Sequence, residues 1–232
     1  MPTLTQDELQ EGIERAHEII DATLDRWDRI PPDRKPYYRL AIQARIIGLY
    51  RSVLGDREAA FEWLGKSAEW YLDSYGPGKA AMLVRAQLTA VLARDDALMA
   101  KAAEMAHEAE SGEPTYFDGV ATCLSSLIRG DDEATLRHAD ALTDLESTAF
   151  QDVDYYDGLG TCCRAIATGD ESLLETALET VLERHETLIP KLGDRTHDAQ
   201  VCIPAAAIVV LARQRGLDVD VESEYLPETL IG

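Results

Sequence analysis

Apolar residues recur along this chain at helical spacing, and four acidic turns interrupt them, Gly55-Asp56, Asp95-Asp96, Gly130-Asp131 and Gly169-Asp170. Each turn closes an apolar run and opens an amphipathic one. The steps from Asp56 to Asp95, Asp131 and Asp170 are about 40 residues each, the length of one helix-turn-helix unit in a stacked array. Two central units share a string: Tyr-Phe-Asp-Gly-Val-Ala-Thr-Cys at 116–123 returns as Tyr-Tyr-Asp-Gly-Leu-Gly-Thr-Cys at 155–162. The pattern predicts an all-α fold, a single domain over 1–232 built of α-α helical hairpins. It is a tetratricopeptide-like solenoid or bundle of about ten helices with a short extended C-terminal tail.

Thr5 with Glu8 reads as a capping box for a first amphipathic helix carrying Leu9, Ile13, Ala16, Ile20, Leu24 and Trp27, stopped by Pro31-Pro32. A second helix follows over Tyr37–Leu54, and Asp56 opens a third toward Trp63, Trp70 and Tyr75, ended by Gly76-Pro77-Gly78. The stretch 79–93 is apolar on nearly all sides, whereas the next helix keeps one stripe, Leu98, Ala102, Met105, Ala106 and Ala109. Helices over 117–129 and 156–168 are rich in small residues, and amphipathic partners follow each. The first helix of each pair therefore lines an inner layer and the second a solvated outer one. A last inner helix over 199–214 is either kinked by Pro204 or begins there. The alternation from Leu217 to Val221 suits a short extended tail.

Charge narrows the partners. With 43 acidic against 22 basic residues the net charge is −21, which disfavours nucleic acid and anionic lipid and favours a cationic partner. Residues 1–77 carry −4 and residues 78–232 carry −17. With 17 Arg, 5 Lys and no Asn, the composition also suits a salt-rich cytoplasm, where counterions screen such repulsion. Cys123, Cys162, Cys163 and Cys202 sit in apolar runs without metal-ligand spacing, as reduced cytoplasmic thiols do. No leader is expected, and the longest apolar run, Ile203–Ala212, is half a membrane span.

No catalytic string appears. There is no phosphate loop, no Gly-x-Ser-x-Gly and no His-Glu-x-x-His, so neither a metal nor a cofactor is expected. Asp118, Asp157 and Asp198 precede inner helices by nearly the same offset, which helix capping explains. The functional alternative is a rim in which they join Tyr116, Asp152, Asp154, Tyr155 and Tyr156 as an anionic, aromatic surface for a basic protein. A toroidal hydrolase with paired carboxylates is the enzyme alternative, disfavoured by too few helical pairs and loops too short for a cleft.

The run Ile203-Pro204-Ala-Ala-Ala-Ile-Val-Val-Leu-Ala212, then Arg215-Gly216-Leu217 and Val221-Glu-Ser-Glu-Tyr225-Leu226-Pro227, resembles the end of the immunity protein 49 family. The upstream helical pairs are similar in length and in alternation. The resemblance implies an all-helical, non-enzymatic cytoplasmic protein, encoded beside a polymorphic toxin, that binds and neutralises the toxin domain. A general helical-repeat adaptor for another protein is the competing expectation.

Overall fold

A computed structural model of the chain describes residues 4–76, 79–108, 115–145, 156, 158–193 and 196–232. Among these the chain is all-helical, with no strand. The α-helices are α1 (Gln6–Leu24), α2 (Tyr37–Val53), α3 (Arg57–Ser74), α4 (Ala80–Ala93), α5 (Asp96–Glu108) and α6 (Tyr116–Arg129). After them come α7 (Asp132–Leu145), α8 (Leu159–Thr168), α9 (Glu171–Leu192), α10 (His197–Gln200), α11 (Ile203–Gln214) and α12 (Glu228–Ile231). Two 3-10 turns, Trp27–Arg29 and Pro32–Arg34, fill the proline-rich link after α1.

One turn geometry is built four times. The residue before the acidic position takes a left-handed backbone, at Gly55 (φ 83°), Arg94 (φ 54°), Gly130 (φ 74°) and Gly169 (φ 68°). The following Asp then donates its amide to a carbonyl five residues back, with Asp56 reaching Arg51, Asp95 reaching Ala90, Asp131 reaching Ser126 and Asp170 reaching Ala165. That is the Schellman arrangement, which satisfies carbonyls a helix end leaves open. Each Asp side chain next accepts from the amide three residues on, at Ala59, Leu98, Ala134 and Leu173, and so starts the following helix.

The hairpins these turns create pack in chain order, and α4, α6, α8 and α11 also pack on one another. Small residues permit that approach. Ser67 and Ser125 reach carbonyls of the neighbouring helix, at Ala41 (2.8 Å) and Ala103 (2.6 Å), and Gln87 on α4 donates to Ala121 on α6 at 3.0 Å. α1 lays Leu9, Ile13, Ala16 and Ile20 on Leu40, Ile47 and Tyr50, forming a smaller core beside the main one.

Three expectations need correction in detail. The last inner helix is two helices, because Val201 is extended (φ −142°, ψ 126°) and Cys202 gives its amide to the Tyr225 carbonyl at 3.0 Å. Pro204 then sits in the first turn of α11, where its missing amide costs nothing. The helix expected from 156 starts at Leu159, since Gly158 holds φ 87°, where a Cβ would also stand 3.2 Å from the Val181 side chain. Finally, the tail ends in α12, which packs on α2 and α3, while α10 packs on α2. The C-terminal elements thus return to the first hairpin. Gly76-Pro77-Gly78 lies partly outside the described residues.

Gly48 shows how tightly α2 meets α3. A Cβ there would stand 2.7 Å from Leu64 Cγ and 3.1 Å from the Ala60 carbonyl oxygen, whereas one at Gly65 would meet nothing closer than 4.0 Å. Gly48→Ala is expected to destabilise by about 1–3 kcal/mol through overpacking. Gly65→Ala should stabilise by about 0.5–1 kcal/mol through helix propensity. Urea unfolding of both variants checks the contrast.

Candidate functional site

Two stretches stand apart electrostatically. Residues 34–55 contain five basic and no acidic residues, and residues 79–94 contain three basic and none acidic, so the remainder carries −29 of the total −21. These stretches are α2 and α4 with their ends, both largely buried. Acidic side chains line the exposed faces of α1, α5, α7 and α9 instead.

Where α2, α3, α4 and α10 meet, the cations gather around one carboxylate. Arg45, whose side chain is 8% exposed, lies 3.4 Å from Asp198. It also donates to His197 Nε2 at 3.0 Å, which places the imidazole proton on Nδ1. His197 lies 3.3 Å from the same carboxylate. Arg85, half-buried on α4, donates to the Tyr38 hydroxyl at 2.9 Å and hydrogen-bonds the Tyr156 phenol. Around it, among the described residues, stand Tyr38, Tyr71, Tyr156 and the Arg45 guanidinium, with Asp198 and His197 within electrostatic reach. Tyr71 is fully buried beneath Arg45, its ring centroid 5.8 Å from that guanidinium and 6.1 Å from the Tyr38 ring. The Tyr71 hydroxyl has no hydrogen-bond partner among the described residues.

Burial sets the protonation states. It pushes the Tyr71 and Tyr156 phenols up, against the pull of the two arginines. Burial lowers His185, packed edge-on to Tyr225 at 4.9 Å, to about 4, and does the same to His197. Burial alone would raise the Asp198 carboxyl, but Arg45, then His197 and Arg85, hold it below its ordinary value. At neutral pH the guanidiniums of Arg45 and Arg85 are charged, Asp198 is a carboxylate and the His197, Tyr71 and Tyr156 rings are neutral. Burial also keeps thiols protonated, with Cys202 pushed up to about 12 and Cys162 higher still.

The expected rim residues separate. Asp118 is the third residue of a capping box, accepting from Thr115, which is itself the N-cap of α6. Tyr116, Phe117 and Tyr156 form an edge-to-face row with centroids 5.9 Å apart, and Tyr156 lies buried at its inner end. Asp198 lies inside, in the cationic cluster. Asp152, Asp154, Tyr155 and Asp157 lie outside the described residues. Sequence reasoning missed Arg45, Tyr71, Arg85, His185 and His197. The available signal was the absence of acids from 34–55 and 79–94, and an arginine in the middle of an otherwise apolar helix. Among the described residues, no group of His, Cys, Asp and Glu has the geometry to hold a metal ion.

Two predictions follow from these states. Between pH 6.5 and 4 the unfolded chain takes up protons that folded His185 and His197 refuse. Stability is whole above pH 6.5 and falls as pH drops, by up to about 1.4 kcal/mol per pH unit for each histidine. Denaturant melts at pH 7, 5.5 and 4.5 measure it, and a flat profile would contradict the buried neutral rings. Asp198→Asn removes the carboxylate beside the buried Arg45 and should cost about 3 kcal/mol, the low end for a broken buried pair because the aspartate is partly exposed, as urea unfolding would show.

No curated protein and no solved structure matches the chain. A protein-family model described as immunity protein 49 matches residues 46–230, which runs from the middle of α2 into α12 and includes Tyr71, Arg85 and Asp198 but not Arg45. By that match over most of its length, the chain belongs to the immunity protein 49 family.

Proposed function

We propose that this chain is a cytoplasmic immunity protein that neutralises a cognate polymorphic toxin domain by binding it, with no chemistry of its own. Membership of the immunity protein 49 family is the observation that carries the reading. The scaffold suits the task. Four hairpin turns of one geometry support reading residues 1–232 as a single-domain helical-hairpin repeat of tetratricopeptide-like kind, whose stacked helices would offer an extended surface for protein contact.

The acidic exterior supports a basic toxin domain as partner, because a field of this sign accelerates encounter with a cation-rich surface. The same field repels nucleic acid. No helix among the described residues is long and apolar enough to cross a membrane. The half-buried Tyr116, Phe117 and Asp118, at the outer end of the aromatic row, support a contact surface where aromatic anchors and charge meet. Asp152, Asp154, Tyr155 and Asp157 belong to the same proposed contact region by sequence.

Co-expression with the toxin encoded beside this gene is expected to restore growth. Raising ionic strength from about 0.05 to 0.5 M should slow association roughly tenfold or more while leaving dissociation nearly unchanged. Killing that continues despite soluble, folded chain would refute immunity and favour a general adaptor role.

A further inference from the structure

We infer that the proline-rich link between α1 and α2, together with the first turn of α2, is a cationic, aromatic docking patch for an acidic surface of the toxin domain. The inference rests on the toxin-binding reading above and adds an orientation to it. Residues 26–39 hold five basic and two acidic residues, a local charge of +3 in a chain of net charge −21. The five are Arg26, Arg29, Arg34, Lys35 and Arg39, and all but Lys35 are exposed. Arg45, Arg51, Arg137, Arg164 and Arg215 each pair with a carboxylate, whereas none of these five forms an ion pair among the described residues. Arg39 also sits in the first turn of α2, which has neither an acid nor a side-chain cap, and there the helix dipole disfavours a cation. Local stability does not account for that placement; contact with an anion does.

Aromatic side chains are interleaved with the cations. Lys35 Nζ lies 4.5 Å from the Trp27 ring centroid, and Trp27 meets Tyr37 edge-on at 5.2 Å. Leu24 and Tyr38, at either end of the segment, are the exposed large hydrophobic side chains among the described residues, each 42% exposed. Trp, Tyr and Arg are the residue types that dominate binding energy at protein interfaces. Pro31, Pro32 and Pro36 with the two 3-10 turns restrict the backbone that carries them, so little ordering entropy is lost on binding.

The patch is continuous with the contact region proposed above. Arg85 donates to the Tyr38 hydroxyl at 2.9 Å and hydrogen-bonds Tyr156, the inner end of the row that runs out through Phe117 to Tyr116. The rim therefore changes sign along its length, cationic at α2 and anionic at Asp118. Nucleic acid or an anionic lipid surface is repelled by the chain as a whole. A basic toxin domain is attracted as a whole, and an acidic patch on it converts that attraction into one docked orientation. The family match begins at residue 46, so membership alone does not supply this patch.

The test measures association of the toxin encoded beside the gene with the full chain and with two double variants of equal charge change. Arg34→Glu with Arg39→Glu reverses the patch, and Arg129→Glu with Arg137→Glu makes the same change at the far end of α6 and on α7. General steering alone lets both variants, now more acidic, bind a basic toxin as well as before or faster. The patch predicts a split: affinity falls roughly tenfold or more for the first pair and holds or rises for the second. Glutamate in the first turn of α2 suits the helix dipole, so the melting temperature should hold and lost binding is not lost fold. Tyr38→Ala should weaken binding roughly tenfold or more as well. Wild-type toxin binding that is indifferent to Arg34→Glu with Arg39→Glu, or weakened equally by both pairs, overturns the patch and leaves the immunity reading standing. Absence of toxin binding by the folded wild-type chain overturns both. A single-stranded DNA oligonucleotide is the second probe and should not bind; binding that the patch variants abolish reassigns the patch to nucleic acid and overturns the toxin as its partner.

Discussion

A left-handed residue followed by an aspartate is the constraint on which the rest of this molecule depends. The positive φ reverses the chain after one helix and lets the next amide return to the carbonyl five residues back. The aspartate side chain then takes the first open amide of the following helix. One short motif therefore ends one helix, begins another and sets the angle between them. Glycine fills the left-handed position three times. Arg94 fills it once, against its steric preference, and its guanidinium donates to the Leu230 carbonyl at 3.1 Å. The strained turn thus carries the side chain that fastens the C-terminal segment to α4.

Fixed hairpins sort the charge. Inner helices can approach one another only through small side chains, so α4, α6 and α8 are rich in Ala, Ser, Gly, Thr and Cys, and carboxylates collect on the outer helices. The inner positions that do carry charge are arginines, because the α2 and α4 stretches hold no acid. α10 then brings Asp198 to Arg45 from 153 positions away. The result is a chain with a negative exterior and arginines gathered inside it around Asp198. A single overall charge describes neither region.

Legibility followed the range of the interaction. Asp56, Asp95, Asp131 and Asp170 each bond a residue three positions on, and such pairings leave a local periodic trace. Asp118 and Asp198 sit at similar offsets before inner helices, yet their fates differ. Asp118 closes a capping box with Thr115, three residues away, whereas Asp198 turns to Arg45 and His197. Nothing near Asp198 in the chain announces that choice. The break at Val201 was similarly hidden, since the Cys202 amide is claimed by Tyr225, far down the chain. Long-range polar pairing built the candidate site, and it leaves only an indirect mark, the missing acids around Arg45 and Arg85.

The acidity of the exterior and the cationic cluster answer differently to salt. Exposed charges more than a Debye length apart, about 10 Å at 0.1 M, scarcely sense one another, so the steering field fades as salt rises. Arg45 is buried against Tyr71 and Asp198, where counterions do not reach, and its interactions persist. A protein adapted to concentrated salt would keep the solvating benefit of its carboxylates and lose their reach. Whether the surface charge serves solubility or encounter, the pairing of Arg45 with Asp198 is the electrostatic contribution that survives both conditions.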